Sequence, residues 1–336
     1  MGTVSQFQVI NQLRLPLIIL VTYAHSYNEV AEGYSLLGSG WDTYQVLKLV
    51  VSQTLVKAAM PMFFFISGYL FFGNVEKWDW QTYQQKIKRR IKTLLIPYII
   101  WNLLMAVKLR TFSPSIFWEP ANMPLWFLRD LIVVSLLTPI IYIGVRKLGW
   151  WFLMLLLPVY ATGIWAIQPG PTPYAVCFFT FGAFMGIRKM NVIETFAKRE
   201  TLWYLLSAAL GLSMVLTYPT HVFPVLMLCF RLVSIAAVFC LADRILTATS
   251  IRIPQVACDS SYFIFLAHYV FFLSIIDTSF FSLFGTSTWS LCTHFLLCPL
   301  LKSTIFVIIY YLYRRIEKRV ELLFKSLRGF IRFPFN

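Results

Sequence analysis

The sequence predicts an all-α fold, a polytopic transmembrane helix bundle with about ten spans and both termini cytoplasmic. Of the 336 residues, 59% are hydrophobic and only 13% are charged, which is too few charges for the surface of a soluble protein of this length. Apolar stretches of about 20 residues, the length that a helix needs to cross a bilayer, recur along the chain. Basic residues gather in alternate connections between these stretches, which is the pattern expected of cytoplasmic loops.

Ten stretches are candidate spans. They lie at about 9–28, 46–73, 91–109, 124–146, 150–166, 171–188, 202–218, 222–242, 260–283 and 289–313. The connections are short and no internal repeat is evident, so we expect one bundle. We therefore predict a membrane domain over residues 1–313 and a tail over residues 314–336.

Lys and Arg set the orientation of the bundle. Six of them lie in the segment 74–92, and others follow at 146–147, 188–199, 244–252 and in the tail. The intervening loops hold only Lys108 and Arg110, and the loop 29–45 has acidic residues but no basic ones. Both termini should therefore be cytoplasmic. The net charge of +15 reflects this orientation, so we expect no nucleic-acid partner.

The tail and the cysteines have simpler interpretations. In the tail, basic residues alternate with apolar ones, which predicts an amphipathic helix on an anionic cytoplasmic leaflet. The alternative is a solvated basic tail. The six cysteines lack a C-x-x-C spacing and mostly sit in apolar runs, so we interpret them as small core residues rather than metal ligands or disulfides.

Several charged residues remain at membrane depth, where charges are costly and normally pair or face a polar cavity. The cations outnumber the two acids, which suggests an anionic ligand inside the bundle. Some of the cations, Lys48 foremost, could instead reach the headgroups by snorkelling. The cations are Arg14, Lys48, Lys57, Arg129, Arg231 and Lys302; the acids are Asp130 and Asp277; and His25, His268 and His294 lie within or near spans.

The first span carries two of these groups, Arg14 and His25. Eleven helical steps of about 100° return to nearly the same face, and the rise places the two residues about 16 Å apart along the axis. This arrangement indicates a functional face. Alternatively, Arg14 snorkels and His25 caps the outer end of the helix.

The predicted orientation assigns depths to these groups. His25 belongs to the outer half, where Arg129 and Asp130 begin the fourth span. Ser67 ends the second span on the inner side, near the basic run 86–92. That run is either a cation cluster at the inner mouth or a topology signal alone.

Five motifs together resemble those of acyltransferase family 3, whose members are multipass enzymes that O-acylate cell-surface glycans and related acceptors. The resemblance covers residues 10 to 315 approximately. The motifs are Arg14-x10-His25, the Phe-Phe-Phe-Ile-Ser-Gly-Tyr sequence at 63–69, the basic stretch 88–98, the Pro-Leu-Trp-Phe-Leu-Arg-Asp sequence at 124–130, and the Ser-Ser-Tyr-Phe-Ile-Phe-Leu-Ala-His sequence at 260–268.

This chain departs from the family pattern at two motifs. The family often has two arginines three residues apart in the basic stretch, whereas here Arg89 is followed by Lys92 and Arg90 by Thr93. Phe265 stands where the family often has Tyr.

The resemblance implies a bacterial multi-pass protein of the cytoplasmic (inner) membrane that moves an acyl group onto a hydroxyl of a cell-surface or lipid-linked glycan. Acetyl-CoA is the expected donor, as a co-substrate, and we expect no metal. The chemistry needs a base or an acyl carrier, stabilisation of the tetrahedral oxyanion, and a site for the CoA phosphates.

We assign candidate roles on this basis. His25 is the base or acyl carrier, because imidazole has an unperturbed pKa of about 6.5. Asp130 orients His25, and Arg129 binds the acceptor or the oxyanion. His268, which is alternatively a satisfied core histidine, supports the site with Trp126 and Arg231. The donor site is assigned to Arg14, Arg89, Arg90, Lys92 and Ser67.

Two other functions remain open on the sequence. A ten-span chain with buried charges could be a glycan flippase or transporter, although such proteins tend to show internal repeats. It could also be a polysaccharide polymerase, although the longest predicted outer loops, 29–45 and 110–123, are short.

Overall fold

The computed structural model describes residues 5–26, 30–163, 172–271 and 274–331, with side chains through Val320, and these residues form helices without any strand. The all-α prediction is confirmed. The α-helices are α1 (Gln6–Ala24), α2 (Leu36–Ser39), α3 (Thr43–Ser52), α4 (Ala59–Gly73), α5 (Trp80–Arg90), α6 (Ile96–Leu109), α7 (Trp126–Leu136), α8 (Thr138–Leu148), α9 (Trp150–Thr162), α10 (Thr172–Ile187), α11 (Val192–Ala197), α12 (Glu200–Thr217), α13 (Phe223–Ala248), α14 (Gln255–Ala267), α15 (Ser274–Phe284) and α16 (Thr288–Ile331).

Six helical segments in the described ranges are long and apolar enough to cross a membrane, so the chain is a multipass membrane protein. They are α1, Thr43–Gly73, Trp80–Leu109, α12, α13 and Thr288–Val320. A seventh segment is the bent pair formed by Met123–Leu136 and α8, while α9, α10 and α15 are apolar but shorter. The predicted spans 9–28, 150–166, 171–188 and 260–283 extend in part outside the described residues.

Prolines account for two irregularities in the spans. The helices α7 and α8 meet at a bend of 60°, and Pro139 stands in the first turn after it. Between α5 and α6, the backbone of Ile91–Leu95 widens into a π-helical turn just before Pro97. A proline lacks an N–H and its ring clashes with the preceding turn, so both distortions relieve that conflict. The basic run 86–92 lies within the continuous helical segment Trp80–Leu109 and not in a loop.

The predicted ninth span is not a single helix. The structure divides it into α14, which ends at Ala267, and α15, which begins at Ser274. The Nδ1 atom of His268 lies 3.0 Å from the Ile264 carbonyl oxygen and 2.9 Å from that of Phe265, so the imidazole caps the end of α14. The apolar character of the stretch was visible in the sequence, but this side-chain cap was not.

The last helix, α16, continues through residue 331, so the described part of the predicted tail extends the last span without a break. Residues 332–336 lie outside the described ranges. The position of this tail on a membrane surface stays a prediction.

The centre of the bundle is the crossing of α4 and α10. A Cβ atom at Gly68 would overlap the carbonyl oxygen of Phe179, and one at Gly182 would overlap the carbonyl oxygen of Phe65. Glycine is therefore needed at both positions for the two backbones to touch, as is common between membrane helices. Phe65 and Phe179 are fully buried beside this crossing, so the second and sixth predicted spans form a rigid base for the elements around them.

The second span is irregular where it approaches the first. The helix α3 ends at Ser52, and a tight turn over Leu55–Ala58 precedes α4. Irregular backbone at membrane depth is tolerated where it is buried in protein or lines a cavity. This turn carries Lys57, and it does line a cavity.

Candidate active site

A cavity of about 230 Å³ lies where the end of α1 faces the Leu55–Ala58 turn, α10 and α13. Its polar lining comes from His25, Lys57, Trp126, Tyr174 and Arg231. The described residues that line it include no Asp or Glu. The cavity is therefore a cationic chamber with an imidazole on its wall.

His25 follows directly after α1 and caps its end, with its backbone N–H directed to the carbonyls of Thr22 and Tyr23. The centre of its ring lies 5.3 Å from that of His268 and 5.6 Å from that of Tyr269. Among the described residues, none forms a hydrogen bond with the His25 imidazole. Both ring nitrogens of His25 are therefore available to a ligand or to water in the cavity.

The state of His268 follows from its contacts. Since two carbonyl oxygens surround Nδ1, that nitrogen carries the proton and donates. The other nitrogen, Nε2, is then an acceptor, and it is buried without a hydrogen-bond partner in the described structure. A buried acceptor left open beside the His25 ring can take up a proton or hold a bound water molecule.

Arg231 projects from α13 into the cavity. Its Nη1 atom lies 3.1 Å from the hydroxyl oxygen of Tyr160, and its guanidinium carbon lies 5.0 Å from the ring centre of Tyr174. Its Nε atom is buried and has no hydrogen-bond partner among the described residues. No carboxylate of those residues forms an ion pair with Arg231 or with Lys57.

Arg129 and Asp130 form an ion pair with each other. The Nε and Nη2 atoms of Arg129 lie 2.9 and 2.8 Å from Oδ1 of Asp130, and both side chains are buried. Nη1 of Arg129 also donates to the carbonyl of Trp118 at 2.7 Å, and Thr172 donates to Asp130 at 3.4 Å. These contacts favour a positioning role for the pair. The catalytic roles given to Arg129 and Asp130 stay predictions, without a hydrogen bond to His25 in their support.

Two of the segments that carry the residues assigned to the donor site contact α14. Arg14 lies 3.6 Å from Asp259 and contacts Asn11, and its side chain is 36% exposed. Three residues beyond Asp259, the Tyr262 hydroxyl donates to the carbonyl of Thr93 at 2.6 Å. Residues three apart share a helix face. The same face of α14 therefore contacts both Arg14 and the Ile91–Leu95 turn that leads into α6.

Within the basic run, Arg90 is the residue that contacts Ser67, with Nη2 2.9 Å from the hydroxyl oxygen. Its guanidinium also lies 5.3 Å from the ring centre of Phe71. Arg89 and Lys92 are exposed. The structure therefore joins Ser67 to Arg90 and leaves Arg89 and Lys92 on the surface.

A second buried polar cluster lies between α15 and α16. Asp277 accepts from His294 at 2.9 Å and from Lys302 at 2.7 Å. The ligand atoms of Asp277, His294 and Cys298 lie within 4.8 Å of one another, a spacing that a metal ion could use. Lys302 already places an ammonium group on the carboxylate, however, so the cluster is neutralised by its own residues.

Sequence reasoning found His25, Trp126 and Arg231 of the cavity wall but did not assign Lys57, Tyr174 or Tyr269 to the site. Lys57 was visible as a cation at membrane depth, and only the turn at Leu55–Ala58 shows where it points. Nothing in the sequence distinguishes Tyr174 or Tyr269 from other core aromatics. Phe265, at the position where tyrosine is common, lines the cavity and keeps that wall apolar.

Comparison with known proteins identifies a relative. The chain is 25% identical over 264 residues to the succinoglycan biosynthesis protein ExoH of Rhizobium meliloti (strain 1021), with 68% of each chain covered. No solved structure matches the chain.

The family model for the acyltransferase domain of family 3 matches residues 7–314, which include the cavity and the basic run. This match spans most of the chain and contains all five motifs on which the resemblance rested. The chain therefore belongs to acyltransferase family 3 and is a membrane-embedded acyltransferase.

Proposed function

We propose that this protein is an O-acyltransferase that transfers an acetyl group from acetyl-CoA to a hydroxyl of a cell-surface or lipid-linked glycan. The observation that carries the proposal is the His25 imidazole, which forms no hydrogen bond with a described residue and stands on the wall of a cavity in a chain of the acyltransferase family. The glycan acceptor is supported by the relative, whose name places it in succinoglycan biosynthesis.

His25 can serve the reaction in two ways. In direct transfer, it takes the proton of the acceptor hydroxyl, the hydroxyl oxygen attacks the thioester carbonyl, and the C–S bond breaks. The released CoA thiolate then receives the proton. In the covalent route, a nitrogen of His25 attacks the thioester and releases CoA, and the acyl-imidazole then passes its acyl group to the hydroxyl. In either route we propose that Nε2 of His268 exchanges a proton with His25, which is supported by its lack of a described hydrogen-bond partner and by the 5.3 Å between the two ring centres.

The donor is proposed to bind near Arg14, on the cytoplasmic side of His25. Arg14 contacts Asp259 of α14, and Arg90 precedes the Ile91–Leu95 turn, which Tyr262 of α14 also contacts. Both arginines carry guanidinium groups, which are suited to binding phosphate. The helical rise from Arg14 to His25 is about 16 Å. An extended pantetheine arm has a comparable reach, so CoA held at the inner mouth could deliver its acyl group to the cavity.

This arrangement requires a specific topology. We propose ten crossings of a bacterial inner membrane with both termini cytoplasmic, supported by the alternation of basic residues between apolar segments. Residues 1–313 form the enzyme domain, and the basic tail 314–336 rests on the cytoplasmic leaflet. A reporter enzyme fused after Asn336 should be active only in the cytoplasm, and activity on the outer side would refute the topology.

The transfer reaction can be tested with the purified full-length chain in nanodiscs. Labelled acetyl-CoA and an oligosaccharide acceptor should yield a glycan ester whose label is released by hydroxylamine. Label on the protein in a single-turnover experiment without acceptor would indicate the covalent route. Absence of both labelled products, in protein that binds acetyl-CoA and is folded, would contradict the proposal. Mass spectrometry of surface glycans with and without the gene would then identify the acceptor.

A further inference from the structure

We propose that Lys57 and Arg231 form a binding subsite for a carboxylate carried by one of the two substrates. The inference rests on the proposed function, because it concerns the same cavity, and it adds the chemical class of what that cavity selects.

Arg231 is held in place with one edge unused. Its Nη1 end is fixed by the hydroxyl of Tyr160 at 3.1 Å, and its plane lies near the ring of Tyr174. The buried Nε atom has no hydrogen-bond partner among the described residues. The edge formed by Nε and Nη2 matches the two oxygens of a carboxylate, which arginine binds with two parallel hydrogen bonds.

Lys57 adds a second charge to the same cavity. It sits in the turn Leu55–Ala58, whose irregular backbone places the side chain among the lining residues. Neither it nor Arg231 forms an ion pair with a carboxylate of the described chain. Two cations thus share one small chamber.

Two buried cations elsewhere in the described bundle are each compensated by an acid. Arg129 is neutralised by Asp130, and Lys302 is neutralised by Asp277. An uncompensated charge in a low-dielectric interior is costly, and two like charges raise the cost. A permanent anion on the substrate would remove this cost each time it binds. The oxyanion of the transition state would remove this cost only during the chemical step, whereas a carboxylate would do so for as long as the substrate is bound.

Size and position favour a carboxylate over the phosphates of CoA. The cavity holds about 230 Å³, enough for a short acyl chain or part of one sugar residue. The CoA phosphates are assigned to the Arg14 end, which the helical rise places about 16 Å away. The carboxylate could belong to a dicarboxylic acyl group on the donor or to a uronic acid in the acceptor.

Two matched substrate pairs distinguish these sources. The donor pair is succinyl-CoA and butyryl-CoA, which have the same carbon chain and differ in the terminal carboxylate. The acceptor pair is an oligosaccharide ending in glucuronic acid and one ending in glucose. The wild-type full-length chain in nanodiscs should prefer the carboxylated member of one pair by kcat/KM.

The variants then assign that preference to the two cations. Arg231→Gln should raise KM for the preferred carboxylated substrate by about 10- to 100-fold, because a hydrogen-bonded charge pair is lost. Arg231→Lys, which keeps the charge but loses the fork, should give a smaller rise. Lys57→Met should raise KM by about tenfold. The neutral member of the pair should be little affected in all three.

A matched control comes from the same span. Lys48 is buried against the ring of Tyr44 at 4.3 Å and does not line the cavity, so Lys48→Met should not change the substrate preference. Thermal unfolding of each variant separates loss of binding from loss of fold.

Several outcomes would overturn the inference. One is a wild-type enzyme that turns over the neutral members of both pairs as well as the carboxylated ones. Another is an equal fall in kcat for neutral and carboxylated substrates in Arg231→Gln, which would make the cations oxyanion stabilisers. Neither result would affect the proposed function, which fails if the folded wild-type chain binds acetyl-CoA but transfers no acetyl group to the protein or to a glycan.

Discussion

Two polar clusters in the described part of the bundle differ in how their charges are balanced. Between α15 and α16, Asp277 accepts hydrogen bonds from His294 and Lys302, so the cluster is neutralised by the protein itself. In the cavity at the end of α1, Lys57 and Arg231 have no carboxylate partner in the described structure, and the histidines nearby have open nitrogens. A cluster that is complete without a ligand suits a structural role, whereas one that is incomplete suits a binding or catalytic role.

The largest expected effect lies in the cavity. His25→Gln should lower kcat by about 10²–10⁴-fold, because the amide cannot transfer a proton near neutral pH. Folding and acetyl-CoA binding should be unchanged. Steady-state transfer of labelled acetyl to glycan measures the loss. His221→Gln is the matched control, since His221 is exposed and does not line the cavity.

Retention of most activity by well-folded His25→Gln would remove the base or carrier from His25. The assignment would then move to His268, the other histidine at the site.

The second effect concerns the neutralised cluster. Asp277→Asn should lower the free energy of unfolding by about 3–5 kcal/mol, because Lys302 would be left buried without its carboxylate. The unfolding midpoint in detergent measures this loss. The double variant Asp277→Leu, Lys302→Met removes both charges and should recover most of the stability. If the double variant were stable but inactive, the cluster would take part in the reaction and the contrast between the two clusters would fail.

The third effect compares two buried histidines, one from each cluster. His268→Gln should lower kcat by about 10- to 100-fold if His268 exchanges a proton with His25, and a shifted pH profile of kcat should accompany the fall. His294→Gln can still donate to Asp277, so it should cost about 1 kcal/mol of stability and leave kcat unchanged. The reverse pattern, with kcat sensitive at His294 and insensitive at His268, would exchange the roles of the two clusters.

The smallest effect is expected at Arg14 on α1. Arg14→Ala should weaken acetyl-CoA binding by about tenfold, the loss of one charge-assisted hydrogen bond discounted for the partial exposure of the side chain. Acceptor binding should not change. Isothermal titration of acetyl-CoA against the nanodisc-embedded chain measures the affinity, with exposed Arg146 mutated to Ala as the control. Unchanged donor affinity would return Arg14 to a snorkelling role.

Much of the fold was predictable because membrane burial leaves a strong signal in composition. The apolar segments around α1, α12 and α13 were found close to their observed bounds. The predicted single helix at 260–283 shows the limit of that signal. Hydropathy indicates that a segment is apolar but not where its helix ends. The helix ends at Ala267, where the His268 side chain contacts the carbonyls of Ile264 and Phe265.

The candidate site was predictable in part for a related reason. His25 and Arg231 stood out as ionisable groups at membrane depth, and the cavity contains both. Asp130 was also recognised as an ionisable group at membrane depth. Its predicted partner, His25, lies on a different span, so the sequence could not fix their contact. In the structure Asp130 contacts its sequence neighbour Arg129, and its proposed contact with His25 stays a prediction.

By itself, the sequence determined that the chain crosses the membrane as helices, that it carries more buried cations than acids, and that its motifs are those of a membrane acyltransferase. These properties depend on residue type and on spacing along one helix, which are fixed before folding. The tertiary structure alone decided which cations are neutralised, that Lys57 faces the cavity, and that His268 lies beside His25. Those relations join residues far apart in the chain, and they follow from how the helices pack, above all from the close crossing at Gly68 and Gly182.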